Sequence, residues 1–167
     1  MLRLKGTRGF TLVELMIVIA LLAIVATIAV PNFVQFIRNN QVQAKADELL
    51  SFLQYARSQA AVRRTNYVVN FTNNNQITLY PEGSAANPER AMEIDATRAI
   101  LRRKDIATTL IYRANGTAAT SGELSVCFEN DFTNGYVVEI SASGLTQRHA
   151  RGKRNRNATA LTNCTVL

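Results

Sequence analysis

Glu14 is the only carboxylate in the first 46 residues, and it sits at the edge of an apolar run. From Leu15 to Val30 every residue but Thr27 is hydrophobic, and Pro31 closes the run. A charged side chain at the centre of a membrane helix costs roughly 2.5–3.5 kcal/mol on insertion scales, and less near an end. Two readings follow for Glu14: it snorkels to the headgroups, or it awaits a cation from another chain. In a low dielectric a fixed cation gives such an acid its largest gain. Ahead of it lie a Gly9-Phe10 junction and a leader holding Arg3, Lys5 and Arg8 with no acid.

A second group that could do chemistry is basic. Arg148, Arg151, Lys153, Arg154 and Arg156 fall within nine residues. The chain is formally +7, and the mature part beyond Gly9 is +4. Outside this tail the mature side chains sum to −1, so the positive charge is concentrated rather than spread. A cluster of that kind can neutralise phosphates; the plainer alternative is a solvated loop or a patch that meets acids on a neighbouring subunit. Gly152, Asn155 and Asn157 favour an exposed, flexible loop over a helix. Arg98, Arg102, Arg103 and Lys104 form a second cluster that extends the first if the fold brings them together. Enzymatic chemistry finds little support: there is no HExxH, no Gly-x-Ser-x-Gly, no phosphate-binding glycine loop and no His–Cys–Asp set. Glu82, Glu89, Glu93 and Asp95 read as a solubilising loop, and His149 is the only histidine. No metal site or cofactor is expected.

The elements that carry these groups can be read from pattern. Thr11 to Val30 is 20 residues, about 30 Å as a helix and enough to cross a hydrocarbon core. The positive leader keeps the N-terminus in the cytoplasm and sends residues 32–167 outside. A secretory signal has a shorter core and a small-residue cleavage site, so this span is expected to be retained. Beyond Pro31, Val42, Ala46, Leu49, Leu53, Ala56 and Ala60 recur at helical spacing and mark a core face. One helix of about 80 Å is expected, kinked at Pro31. After Arg64 the pattern turns to short strands. Residues 67–71 and 76–80 flank a Thr72-Asn73-Asn74-Asn75 turn, and residues 81–88 form a loop. Further strands are expected near 98–103, 108–113, 124–129 and 136–142, with turns at Asn115-Gly116, Asn134-Gly135 and Ser143-Gly144. The fold class is α+β, a long N-terminal helix on one or two antiparallel sheets.

Gly9-Phe10-Thr11-Leu12-Val13-Glu14-Leu15, with the apolar run and Pro31, resembles the class III signal of type IV pilins and type II secretion pseudopilins. The resemblance implies cleavage between Gly9 and Phe10 by a prepilin peptidase and N-methylation of Phe10. It also implies that Glu14 meets the N-terminal amine of a neighbouring subunit during assembly. Within this superfamily the GspH/FimT-like branch is similar in three further features. These are the helix phrase Leu53-Gln54-Tyr55-Ala56-Arg57-Ser58-Gln59-Ala60, the Asn115-Gly116 turn, and the late strand ending at Ile140-Ser141-Ala142-Ser143-Gly144. FimU-like members share the cysteine pair. FimT-like DNA receptors hold DNA on a glycine-arginine tail, although here Gly144 is followed by Leu145 and the arginines start after Gln147. The calcium-site acids of a major pseudopilin have no counterpart, since no acid follows Glu139.

Cys127 and Cys164, the only cysteines, are expected to pair in an oxidising periplasm. Two reduced thiols are the alternative. The expected organisation is a leader at 1–9, a transmembrane and assembly helix at 10–31, and a head domain at 32–167 that is helical to about residue 64 and β-rich beyond. The resemblance implies a minor pilin of the inner membrane that primes or caps a filament. Its expected partners are other pilins, the prepilin peptidase, the assembly platform, the lipid bilayer and, in one reading, double-stranded DNA. A minor pseudopilin of a type II secretion system is the alternative.

Overall fold

The structure, a computed structural model, describes residues 9–73 and 76–164. Arg3, Lys5, Arg8, Asn74 and Asn75 therefore lie outside the described residues. The chain divides into two compact units, one ending at Ile37 and the other running from Arg38 to Leu167.

The first unit is the start of helix α1, Leu12–Arg63. Its apolar side chains are exposed throughout this unit, and a window of 18 residues averages a hydropathy of 2.8. That is long and apolar enough to cross a membrane. Pro31 stands inside the helix without ending it. The polar side chains here turn back on the helix: Thr27 Oγ1 donates to the Ile24 carbonyl at 2.7 Å and Asn32 Nδ2 to the Ile28 carbonyl at 2.9 Å. Each side chain thereby finds one partner within the helix itself.

In the second unit α1 buries Val42, Ala46, Leu49, Phe52, Leu53, Ala56 and Ala60. This is the expected stripe with Phe52 added. Two four-stranded antiparallel sheets take up that face. The first has the order β3-β2-β1-β5, from β1 Tyr67–Asn73, β2 Gln76–Pro81, β3 Arg90–Glu93 and β5 Thr109–Tyr112. The second has the order β4-β6-β7-β8, from β4 Ile100–Lys104, β6 Gly122–Phe128, β7 Asp131–Ile140 and β8 Thr146–Arg148. Inward residues of both sheets, among them Val69, Leu79, Leu110, Tyr112, Leu124, Val126, Val138 and Ile140, join the helix in one core. A smaller cluster of Cys127, Val137, Leu161 and Cys164 lies apart from it. Strand alternation puts Cys127 and Val137 on the opposite face from Leu124, Val126 and Val138. The C-terminal segment thus covers part of the second sheet's outer face.

Three expectations need correction. Residues 90–93 and 146–148 are strands, where the sequence reads as acidic loop and as the start of a basic tail. Asn134-Gly135 is not a hairpin turn: β7 runs through it, and the ladder shifts register between Val126 and Phe128. Gly135 is there for space, since a Cβ would stand 2.6 Å from Cys127 Sγ. A glycine inside a strand often marks such an approach. The reversal falls instead at Glu129, at φ 49°.

Candidate functional site

The N-terminal site is built by the helix start. Thr11 caps α1: the Glu14 N–H donates to Thr11 Oγ1 at 3.2 Å and the Leu15 N–H to the Thr11 carbonyl at 3.2 Å. Thr-x-x-Glu is a capping-box sequence, in which the acid normally reaches back to the cap residue's own N–H. Only the threonine half is formed; among the described residues the Glu14 carboxylate makes no hydrogen bond or ion pair. It sits in the first turn, where the helix dipole favours a negative charge, and is left open to a partner from outside. Gly9 is equally undemanded by the chain itself. A Cβ there meets nothing within 4 Å, and its φ is not in the left-handed region. Among the described residues, neither Glu14 nor Gly9 is called for by packing.

The three features of the helix phrase, the Asn-Gly turn and the late glycine meet at one place in the head. Arg57 Nε donates to the Gly116 carbonyl at 3.0 Å, and its Nη2 to the Ser143 carbonyl at 3.4 Å. Each turn closes on a glycine in the left-handed region, Gly116 at φ 77° and Gly144 at φ 79°. Gly116 N–H donates to Arg113 C=O and Gly144 N–H to Ser141 C=O, both at 2.8 Å. The turns stack so closely that a Cβ on Gly144 would overlap the Gly116 carbonyl oxygen. One guanidinium thus fastens α1 to both turns, and Asn115 Oδ1 orders its own turn by accepting from Thr117 N–H at 3.0 Å. Deeper in, Tyr112 and Thr146 share a buried hydroxyl bond of 3.1 Å. Burial pushes the Tyr112 phenol up to about 12, against a lesser opposing effect of the Thr146 bond.

Arg148 ends β8, and the rest of the basic tail runs in turns beyond it, fastened to the head rather than free. Arg148 Nε pairs with Asp47 at 2.7 Å, and Arg154 Nε with Glu123 at 2.9 Å. Arg156 donates twice to Gln147 Oε1, and Arg151 Nε approaches Tyr136 Oη at 3.4 Å. Lys153 alone of the five has no side-chain partner among the described residues. His149, almost fully buried, bonds through Nε2 to Glu139 at 2.8 Å. A disulfide joins Cys127 and Cys164, and Gly152 N–H donates to the Gly135 carbonyl at 2.8 Å. The two basic clusters do approach one another. Ladder register sets Lys104 opposite Glu123, the acid that also holds Arg154. Burial, with Glu139 and Asp105 nearby, raises the Glu123 carboxyl above its ordinary range. Arg98 pairs with Asp95, and Arg103 stacks over Phe71, so neither belongs to a shared patch.

A long apolar-to-amphipathic helix on antiparallel sheets, with a capped and unspent acid at its start, defines a type IV pilin-like subunit. The chain matches the family of type II transport protein GspH over residues 45–144 and the prokaryotic N-terminal methylation motif over residues 4–30. It belongs to the GspH family of minor pilins and pseudopilins, and the matched stretch includes Arg57, Gly116 and Gly144. Among solved structures it is similar to the type IV minor pilin FimU of Pseudomonas aeruginosa, at 27% identity and a TM-score of 0.63, covering 77% of this chain and 98% of that one. The minor pseudopilin EpsH of the Vibrio cholerae type II secretion system shares the fold, with a TM-score of 0.57 at 12% identity over 70% of this chain and 99% of that one. The major pilin PilA of Myxococcus xanthus is 56% identical over 41 residues, 24% of this chain and 19% of that protein. A fimbrial protein of Pseudomonas aeruginosa is 33% identical over 79 residues, 41% of this chain and 51% of that protein. The chain therefore spans about a fifth and about half of these two relatives.

Proposed function

We propose that this chain is a minor type IV pilin that helps start or cap a pilus. It is held in the inner membrane by the apolar part of α1, with the N-terminus in the cytoplasm and the head in the periplasm. A prepilin peptidase cuts after Gly9 and methylates Phe10, and the mature subunit joins other pilins through α1 on the assembly platform. The observation that carries this reading is the open Glu14 carboxylate beside an apolar helix. An acid that the chain's own cap leaves unused, at the margin of lipid, suits an amine delivered by a neighbour. Gly9, which the fold does not require, suits a protease that needs a small residue at the cut.

The similarity to FimU supports a pilus over a secretion system, because it extends across the head at higher identity than the similarity to EpsH. The secretion reading remains the alternative, since the same helix and fold serve both. Deleting the protein in its own host separates them. Loss of surface pili with normal exoprotein release supports the pilus reading; normal pili with blocked release overturns it. DNA capture by the basic tail is a further reading on the same filament. It is the weaker one, because Arg148 and Arg154 are already paired with Asp47 and Glu123.

A further inference from the structure

Among the described residues of the head, the exposed large apolar side chains are Val62, Phe132 and Leu145. Phe132, 37% exposed, stands at the tip of the β6–β7 hairpin, and three contacts show which end of the head that tip occupies. Arg57 Nη2 donates to the Ser143 carbonyl just beyond β7, and Tyr136 Oη within β7 donates to Gln43 Oε1 at 3.1 Å. The Arg38 guanidinium lies 4.7 Å from the centre of the Phe128 ring, at the end of β6. From Ser143 back to the tip the chain thus descends α1 from Arg57 to Arg38, the first residue of the second unit. Phe132 is four residues before Tyr136, about 13 Å along a strand. Arg38 is five before Gln43, about 7.5 Å along a helix. The tip therefore reaches past Arg38, on the side from which α1 enters the head.

The tip is shaped by its own polar groups. Asp131 Oδ1 accepts from Thr133 Oγ1 at 2.5 Å and from the Asn134 N–H at 3.2 Å, and its Oδ2 accepts from Asn134 Nδ2 at 2.8 Å. The Phe132 N–H donates to the Asn130 carbonyl at 2.9 Å. Asp131 is thus occupied within the turn, while the phenyl ring stays open. Arg38 stacks on Phe128 but makes no hydrogen bond or ion pair among the described residues. A single exposed aromatic is ordinary on a protein surface; the place of this one is what distinguishes it. Eight residues carry α1 from Val30, the end of the apolar run, to Arg38, about 12 Å of helix. A headgroup layer occupies roughly the first 5–7 Å beyond the hydrocarbon.

We infer that the β6–β7 tip is a lipid-contact site. Phe132 enters the headgroup layer of the bilayer that α1 crosses, and the Arg38 guanidinium meets a lipid phosphate. Aromatic side chains gather at that depth, and a guanidinium pairs with phosphate through two parallel hydrogen bonds. Glu129 is the tip acid without a partner among the described residues, and an ethanolamine headgroup brings the cation to meet it. A head held in this way does not swing freely about α1, so the contact sets how the subunit is presented while it waits in the membrane. The inference rests on the reading of α1 as a membrane span, and its test separates the two.

Photolabelling of the wild-type full chain provides that test. The protein is reconstituted in vesicles of phosphatidylethanolamine and phosphatidylglycerol doped with a phospholipid that carries a diazirine near its glycerol. Labelled peptides are then mapped by mass spectrometry. Label on residues 10–37 reports the span, and label on residues 129–134 reports the tip; both are expected. Label on the span without the tip overturns the inference and leaves the span standing. Label on neither overturns the span, and the inference with it. The chain has no tryptophan, which allows a second measurement in the same vesicles. Phe132→Trp should lose most of its emission when the lipid acyl chains are brominated, because that quenching needs contact. Leu145→Trp should keep its emission: Leu145 lines a cleft with Arg57 and Ala61, and Arg57 is about 28 Å along α1 from Arg38. Equal quenching at the two positions, or none at position 132, also overturns the inference.

Discussion

Replacing Gly144 with alanine tests whether the two stacked turns really brace the head. Gly83 provides the control, because the two glycines share a conformation and differ in space. Their φ angles are 79° and 89°. A Cβ on Gly83 meets nothing within 4 Å, whereas one on Gly144 overlaps the Gly116 carbonyl oxygen and stands 3.1 Å from Arg57 Nε. Both substitutions incur the left-handed penalty of about 1–2 kcal/mol, and both gain the same few tenths from a stiffer unfolded chain. Gly144→Ala adds an overpacking cost of about 1–3 kcal/mol and weakens the Arg57 bond to the Gly116 carbonyl, a charged-donor bond of about 1.5–3 kcal/mol. Because the turn can shift to relieve part of each, the excess over Gly83→Ala should be about 2–4 kcal/mol. At roughly 3–5 °C per kcal/mol for a domain of this size, Tm should fall about 6–20 °C further than in the control. Scanning calorimetry of the full chain in detergent measures both variants. Equal shifts would refute the argument, because the two turns would then not be in contact.

Three further outcomes follow. Replacing Cys127 and Cys164 together with serine opens a link across 37 residues, worth about 4 kcal/mol in the chain-entropy model; urea midpoints of the variant and the oxidised wild type report the loss. Tyr112, pushed up to about 12, keeps its proton between pH 10 and 12 while the unfolded chain loses one. Stability should therefore fall as pH rises through that window, by at most about 1.4 kcal/mol per pH unit, and Tyr112→Phe should flatten the slope. For the basic tail, only Arg151, Lys153 and Arg156 lack a carboxylate partner. Duplex DNA binding across a salt series should then show a log–log slope no steeper than about −2.7, at −0.9 per contact; a slope near −4.5 would mean the two ion pairs open to DNA.

The helix was legible in the sequence because its signals are local and redundant: a basic leader, an uninterrupted apolar run, then a stripe at helical spacing. Phe52 was missed from that stripe, since it lies beside Leu53 and widens the face rather than extending it. Strands β3 and β8 were not legible. Arg90–Glu93 and Thr146–Arg148 are short and each buries a single residue, Met92 and Thr146, and ladder partners distant in sequence decide them rather than propensity. Gly135 misled because a glycine needed for close approach to a disulfide has the same letter as one needed for a turn. The tail arginines were visible as a cluster, but not their partners. Asp47 is on the helix and Glu123 on β6, and nothing in the spacing links either to residues 148–154. Arg57 shows the reverse case: its phrase and the two glycine turns each stand out in the sequence, and only the fold shows that they meet.

If Glu14 is the assembly contact, as proposed, its loss must show in the filament. The direct measurement is the amount of this subunit in sheared filaments relative to membranes, for wild type and Glu14→Ala expressed equally in the native host. Glu14→Ala is expected to insert normally and to be cut after Gly9, but to fall at least about tenfold in the filament fraction, the equivalent of about 1.4 kcal/mol. A variant found in filaments at the wild-type level would contradict it and leave Glu14 as no more than a helix-start residue.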